Sequence, residues 1–219
     1  MRRLFDHPTD HVTVRDAYDV DRPRPDNRPW LGICMVSSID GSTVVDSNSR
    51  GLSNKADQEV LLTLRDLADL LIVGAATVRI EGYGPPRKRG QRVGVVSRKG
   101  DVDATSALFT SGAGFLILPD DAPPTSVDSV RAGLGNVDLA AALSQLDADF
   151  VQAEGGALLN GALAAADLID ELNLTLSPML ASGNGPRVTS GPTQLARRMR
   201  LSHVLEEDDF LFTRYVRAT

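Results

Sequence analysis

The chain has 219 residues, 42% of them apolar, with 29 acidic against 23 basic side chains and a formal net charge of −6. That length fits one sizeable domain with its own core. The acidic balance excludes a basic nucleic-acid footprint or a polybasic membrane anchor, and no apolar run reaches the length of a membrane span. A single cysteine, Cys34, excludes an internal disulfide and every multi-cysteine zinc site, and points to the cytoplasm.

Arg2 and Arg3 are followed by Leu4-Phe5-Asp6-His7-Pro8 with no apolar stretch, so no secretory signal is expected. His7 and His11 stand four apart, but Pro8 between them argues against a shared helix face. They read as surface histidines and no metal site is expected. Residues 1–29, punctuated by Pro8, Pro23, Pro25 and Pro29, read as an N-terminal arm that hugs the surface or moves freely; residues 30–219 read as a single domain. Trp30–Val36 is a continuous apolar run suited to a buried strand, closed by Ser37-Ser38-Ile39-Asp40-Gly41. Residues 54–69 repeat Val60, Leu61, Leu64, Leu67 and Ala68 at helical spacing, with Ser53 or Asn54 as N-cap. Leu70–Val73 is a second strand stopped by Gly74, and a short helix follows from about Thr77. Arg92–Val96 and Phe115–Leu118 read as strands, Asp138 caps a helix through Leu146, and Phe150–Ala153 leads into Glu154-Gly155-Gly156 and an Ala/Leu-rich helix to about Ala166. Glu171–Leu176 alternates polar and apolar like an edge or half-buried strand. Residues 178–192 form a loop, and 200–216 read as two strands around Glu206-Glu207-Asp208-Asp209. Alternating strands and helices define an α/β fold: a three-layer arrangement with a mainly parallel sheet and an antiparallel C-terminal edge.

In such sheets, ligands sit beyond the carboxyl ends of the strands. The Glu154-Gly155-Gly156-Ala157-Leu158 junction is either a tight turn or a helix N-terminus open to a phosphate or pyrophosphate. No Gly-x-Gly-x-x-Gly fingerprint or Walker loop occurs. Ser97-Arg98-Lys99 offers a hydroxyl and two cations suited to a 2′-phosphate, or else is a solvated turn. Gly74-Ala75-Ala76-Thr77 suits close backbone approach to a cofactor, or is a strand-to-helix turn capped by Thr77. Asp40 and Glu154 are the carboxylates nearest the shared crevice and the candidates for catalytic proton transfer; Asp40 before Gly41 also fits a plain turn. No Gly-x-Ser-x-Gly elbow supports Ser-His-Asp chemistry, and His203 lies in a C-terminal strand.

These motifs, in this order, resemble the reductase domain of riboflavin biosynthesis, the C-terminal half of bifunctional pyrimidine deaminase/reductases. The matching stretches are Ser37–Gly41, Ser49–Ser53, Leu64–Asp69, Val73–Arg79, Glu154–Leu159 and the closing Leu211–Tyr215. The resemblance implies a dihydrofolate-reductase-like fold, a homodimer and an NADPH-dependent reduction. In that reaction the ribosyl chain of a phosphorylated pyrimidine, 5-amino-6-(5-phosphoribosylamino)uracil, is opened to ribityl. It further implies NADPH contacts at Ser37, Thr77, Ser97 and Gly156, Ala157, Leu158 and Leu159. Ser49 and Arg65 would then meet the substrate, Arg65 at its phosphate, with Glu154 at the reacting end.

Three departures from the family stand out. The deaminase half and its zinc-binding set are missing. The usual Asp-Asp-Pro-x-Leu-Thr-x-Arg segment is replaced by Glu81-Gly82-Tyr83-Gly84-Pro85-Pro86-Arg87-Lys88. There Glu81 keeps a carboxylate on the cofactor side, and Arg87 or Lys88 can meet a phosphate. Cys34 stands where many bifunctional members carry a Lys. Two rival readings follow: a dihydrofolate or pterin reductase on the same scaffold, and an NADPH-binding protein without turnover.

Overall fold

The structure, a computed structural model, describes residues 1–192, 194 and 196–218. Among the described residues ten strands form one sheet. In chain order they are β1 (Arg2–Phe5), β2 (Trp30–Ser38), β3 (Leu70–Gly74), β4 (Arg92–Val96), β5 (Gly114–Leu118), β6 (Ser129–Arg131), β7 (Phe150–Ala153), β8 (Glu171–Ser177), β9 (Met199–Glu207) and β10 (Phe210–Arg217). The helices are α1 (Val14–Tyr18), α2 (Lys55–Leu67), α3 (Ala75–Glu81), α4 (Ala107–Thr110), α5 (Leu139–Ser144) and α6 (Ala157–Ala165). No helix among the described residues is long and apolar enough to cross a membrane.

The strand order is β1-β9-β10-β8-β2-β7-β3-β4-β5-β6. From β8 through β6 every pairing is parallel, while β1, β9 and β10 pair antiparallel. The expected mainly parallel sheet with an antiparallel C-terminal edge is what forms. Because the sheet is covered on both faces, its central strands are apolar on both. On one face α1, α2, α3 and α4 pack Tyr18, Val60, Leu64 and Leu108 against Cys34, Leu71, Val73 and Val95. On the other, α5 and α6 pack Leu143, Leu159 and Leu163 against Leu31, Ile33, Ile72 and Val151. These are the three layers.

Local chemistry sets the helix starts. Asn54, not Ser53, caps α2, its side chain accepting from the Asp57 amide at 2.8 Å. Asp138 caps α5 in the same way. α3 begins at Ala75, so Thr77 lies inside its first turn and is not its cap; Gly74 holds that position without a side-chain bond. Asp208 and Asp209, both at positive φ, make the two-residue turn of the β9–β10 hairpin.

Two expectations need correction. The first 29 residues do more than hug the surface: β1 adds to β9, and α1 buries Val14, Ala17 and Tyr18 against α2. Those three residues are too few to signal a helix by periodicity. Nor is β8 an edge. It lies between β2 and β10, and β9 is covered by β1, so edge-to-edge association through this hairpin is closed. Its alternation is also inverted. Glu171, Asn173, Thr175 and Ser177 are buried, while Leu172, Leu174 and Leu176 are half-exposed.

The inversion is possible because Glu171 is saturated with donors. Arg22 meets it through Nη2 at 2.9 Å and Nε at 3.1 Å, Arg214 through Nη2 at 2.8 Å, Trp30 through Nε1 at 3.3 Å and Asn173 through Nδ2 at 2.9 Å. Burial works to raise the Glu171 carboxyl, but the Arg214 hydrogen bond and the charges of Arg22 and Arg214 outweigh it and hold the group at about 2. Nearby His203 is edge-on to Tyr18 at 4.8 Å. Burial, reinforced by the charge of Arg214, pushes it down to about 4.

Both shifts make acid destabilising. The contribution of Glu171, depressed from 4.5 to about 2, is complete above roughly pH 5 and is lost as pH falls through 2. His203, depressed from 6.5 to about 4, is protonated first in the unfolded chain, so stability falls between those two values. The melting temperature should therefore drop in two stages, and His203→Gln should remove the upper one. A melting temperature unchanged from pH 7 down to pH 4 would contradict this assignment.

Candidate active site

After β2 the chain skips one place to β3 and walks outward to β6; β7 then returns to insert between β2 and β3. That insertion delivers Glu154 to the middle of the sheet's carboxyl edge. The Glu154 amide donates to Ile72 O at 3.0 Å, and the Gly74 amide donates to Gly155 O at 2.8 Å. Above these strand ends lies a cavity of about 640 Å³. Its floor is Cys34, Met35, Val36 and Gly74, one wall is the Asp57, Leu61, Arg65 ridge of α2, and the others come from α3, the 81–88 segment and the start of α6.

At its centre is a three-residue cluster. Arg65 Nε and Nη2 reach Glu154 Oε1 and Oε2 at 2.7 and 2.6 Å, a bidentate fork on a buried carboxylate. Tyr83 donates its hydroxyl to Glu154 Oε2. Arg65 Nη2 also donates to the Tyr83 hydroxyl at 3.1 Å, and its guanidinium lies 5.4 Å from the centre of the Tyr83 ring. Burial and the Glu154 charge push the Tyr83 hydroxyl well above its ordinary value, so it acts as a donor at neutral pH. The 83–91 segment is fastened to the end of α2: Gln91 Nε2 donates to Arg65 O and Ala68 O, both at 2.7 Å, and Lys88 Nζ to Asp66 O at 2.9 Å and Ala68 O at 2.7 Å. These bonds satisfy carbonyls that a helix end leaves free.

α6 supplies a different surface. No side chain caps it, and Gly156, Ala157, Leu158 and Leu159 all line the cavity, so the first-turn amides are available to an anion. Close approach matters here: a Cβ on Gly156 would stand 3.0 Å from Thr77 Oγ1, and Gly155 sits at φ +86°. The 178–190 loop crosses this helix. Ser190 N donates to Ala157 O at 2.9 Å and Asn160 Nδ2 to Val188 O at 2.9 Å. A Cβ on Gly161 would fall 1.9 Å from Ser190 O, so only glycine allows the crossing.

Of the sequence candidates, the structure brings together Glu154, Arg65, Ser49, Glu81, Gly74, Thr77, Gly156, Ala157, Leu158, Leu159, Arg87 and Lys88 around the cavity. Ser49 Oγ donates to Glu81 Oε1 at 3.3 Å, so these two form one unit. Arg87 is exposed at the rim, and among the described residues no carboxylate pairs with it. Gly155 lies just beneath, bonded to β3.

Four candidates stand elsewhere. Asp40 is exposed and does not line the cavity. It accepts from Ser38 Oγ at 2.5 Å and from the amides of Ala181 at 3.1 Å and Ser182 at 2.7 Å. Those bonds, Ser38 first, lower it to about 2, so it is an ionised clamp on the 178–190 loop and a poor proton donor. Ser37 is buried on the strand face opposite Cys34 and Val36, with odd-numbered Leu31 and Ile33 of the α6-side core. Ser97 accepts from the Gly100 amide at 3.0 Å in its own turn, and Arg98 is exposed; both lie past the cavity, beyond β3. Sequence reasoning also missed two cavity residues. Tyr83 was counted only as part of a departure from the family pattern, and Asp57 only as part of a helix. Asp57, Leu61 and Arg65 at i, i+4, i+8 were the available signal.

A doubly covered α/β sheet with a cavity at its carboxyl edge, a buried ion pair and an uncapped helix N-terminus beside it is a scaffold of the dihydrofolate-reductase type. The RibD C-terminal domain model matches residues 29–209, and the chain belongs to that family. The 2,5-diamino-6-ribosylamino-4(3H)-pyrimidinone 5′-phosphate reductase of Methanothermobacter thermautotrophicus is 26% identical over 209 residues, covering 83% of this chain and 95% of the relative. A pyrimidine reductase-like protein from Corynebacterium diphtheriae has the same fold, with a TM-score of 0.82, 21% identity and coverage of 95% of this chain and 100% of that one. Dihydrofolate reductase of Enterococcus faecalis shares the fold more distantly, with a TM-score of 0.53 and 12% identity over 87% of this chain and 97% of that one.

Arg65→Ala would leave Glu154 buried without its cation and should cost about 3 kcal/mol, lowering the melting temperature by roughly 10 °C. Tyr83→Phe should cost about 1 kcal/mol. Equal melting temperatures for Arg65→Ala and the native chain would show that Glu154 does not depend on the pair. Gly161→Ala should free the crossing loop, seen as faster amide exchange at Ser190 with the α5 amides unchanged.

Proposed function

We propose that the chain is an NADPH-dependent reductase that converts the ribosyl group of a phosphoribosylamino-pyrimidine to a ribityl chain. The observation that carries this reading is Glu154, held by Arg65 and Tyr83 directly beside the open N-terminus of α6. A pyrophosphate on that helix end places a cofactor's reactive part toward the same carboxylate. The residues fit NADPH: the Gly155-Gly156 turn leaves the approach open, and Gly74, Thr77 and Glu81 line the same wall. NADPH when bound supplies the hydride.

This chain's own residues have three tasks. Glu154, ion-paired with Arg65, is the carboxylate at the reacting end of the substrate, and the Tyr83 hydroxyl that donates to it carries the cluster's proton. Arg87 at the rim meets the substrate phosphate. Arg65 is committed to Glu154, and its remaining Nη1 donors supply at most a secondary phosphate contact. Ser49, bonded to Glu81, ties the substrate side of the cavity to the cofactor side. Ser97 and Arg98, one strand further out, are placed to meet a 2′-phosphate at the far end of an extended dinucleotide. In this reading the chain acts as a homodimer in the cytoplasm. Its half-exposed leucine face on β8 offers a surface for pairing face to face, and a monomer by light scattering at micromolar concentration would remove that part.

The test is NADPH oxidation with 5-amino-6-(5-phosphoribosylamino)uracil, its 2-amino counterpart and dihydrofolate in parallel. Consumption with either phosphorylated pyrimidine supports the reading, and Arg87→Ala should then raise KM roughly tenfold with little change in kcat. Turnover of dihydrofolate alone would transfer the scaffold to pterins. Binding of NADPH with no turnover of any of the three would leave a cofactor-binding protein.

A further inference from the structure

Turning a closed ribosyl ring into an open ribityl chain takes a proton at the ring oxygen O4′ as well as a hydride at C1′. The carboxylates of the cavity are poorly placed to give that proton. Glu154 takes two bonds from the Arg65 fork and one from the Tyr83 hydroxyl, so it accepts on both oxygens. Glu81 accepts from Ser49 Oγ at 3.3 Å. Asp57 accepts from Ser53 Oγ at 2.6 Å and from the Thr175 hydroxyl. It stands two helical turns from Arg65, about 12 Å along α2 and away from the reacting end. The proton at the reacting end belongs to the Tyr83 phenol.

Its neighbours place Tyr83 there. Gly82, at φ +66°, closes α3 and turns the chain back, with the Tyr83 amide bonded to Val78 O at 3.3 Å. The ring then packs against the α2-side core and lines the cavity. Beyond it, Lys88 and Gln91 fasten the segment to α2. Arg87 stands at the rim on the same segment, so a 5′-phosphate held there brings its sugar towards Tyr83. The phenol oxygen also accepts from Arg65 Nη2 at 3.1 Å, and the guanidinium lies 5.4 Å from the ring centre. A cation so placed stabilises the phenolate that forms as the proton leaves. Burial and the Glu154 charge keep the phenol protonated well past neutral pH. An alkoxide departing from C1′ is basic enough to take its proton all the same.

We propose that Tyr83 is the catalytic acid that opens the ribosyl ring. Its O–H bond breaks as a bond from that hydrogen to O4′ forms. The C1′–O4′ bond breaks with its electron pair going to O4′, and the lone pair of the exocyclic nitrogen closes a C1′=N double bond. The open iminium is the form that accepts a hydride at C1′. The phenolate, held by Arg65, regains its proton from water at the rim, so each turnover consumes one proton from solvent. The inference rests on the reductase reading, because it takes the ribosyl group to lie against Glu154. It gives a role to the 81–88 segment, where this chain departs from the usual pattern of its family.

The test compares the native chain with Tyr83→Phe, which keeps the ring beside Arg65, below the melting transition of both. With a phosphoribosylamino-pyrimidine and NADPH, Tyr83→Phe should lose about 100-fold or more in kcat with KM within about threefold. The native kcat should stay level between roughly pH 6 and 9, because the phenol is protonated throughout. A kcat that falls as pH rises through that range gives the proton to a more acidic group and overturns the assignment. A Tyr83→Phe kcat within about threefold of native overturns it too. In both cases the reductase reading survives. The second readout needs no hydride: exchange between the α and β anomers of the substrate, followed by NMR at the anomeric proton with NADP+ in place of NADPH. Ring opening in the site should speed that exchange in the native chain and not in Tyr83→Phe. If nothing is reduced but exchange is sped in a Tyr83-dependent way, the reductase reading fails and the Tyr83 assignment stands. If the native chain neither reduces the pyrimidine nor speeds the exchange, both fail.

Discussion

The structure depends on one buried charge. Glu171 is fully sheltered from water and must be matched by donors, because an unmatched carboxylate in that position costs several kcal/mol. Its partners come from four separate parts of the chain: Arg22 in the arm, Trp30 at the start of β2, Asn173 beside it and Arg214 in β10. Satisfying it brings the arm, the centre of the sheet and the C-terminal hairpin together at one point. It also fixes which way β8 faces. With Glu171 directed inward, the period of two carries Asn173 and Thr175 inward as well. Thr175 then lies opposite Val36 in the β2 register, within reach of Asp57. The architecture and the cavity floor thus share one electrostatic requirement.

The cavity extends this logic to its ligands. Its two carboxylates sit in opposite environments. Glu154 is held by a guanidinium fork and a phenol and is locked in place, while Asp57 has only neutral hydroxyls around it. Divergent surroundings for paired carboxylates are a common way to divide labour within one site. Here the division follows the long axis of α2, which carries both wall contacts on a single ridge. The same helix is anchored at its far end by Gln91 and Lys88, so the substitution of the 81–88 segment does not loosen the wall. Within that segment Tyr83 is a hydrogen-bond partner of Glu154.

The parallel core was legible because its signal is local. The runs at Trp30–Val36, Leu70–Val73 and Phe115–Leu118 are continuous and are stopped by Ser37, Gly74 and Pro119, and Asn54 and Asp138 stand where caps belong. The arm was not legible, since Tyr18 and Ala17 become core only through α2, and Arg22 acquires meaning only from Glu171, 149 residues away. Glu154, Arg65 and the Gly155-Gly156 turn could be found from motif order. Asp40 could not be rejected from sequence, because a carboxylate after a strand looks the same whether it faces a cavity or clamps a loop. Only the return of the 178–190 segment, with its Ala181 and Ser182 amides, decides between the two. Asp57 was overlooked for a related reason: a polar residue in the first turn of a helix reads as part of the cap, and its burial depends on β8.

The insertion of β7 has a consequence for biosynthesis. The two neighbours of β2 are β7 and β8, and no earlier strand touches it. On the ribosome, residues 30–38 emerge well before either partner exists, and roughly 110 more residues must be added before residue 150 appears. At ordinary elongation rates that interval lasts roughly 5 to 20 s. Throughout it a strand rich in apolar residues has both edges unpaired, so the nascent chain, rather than the finished enzyme, is the form that needs a molecular escort.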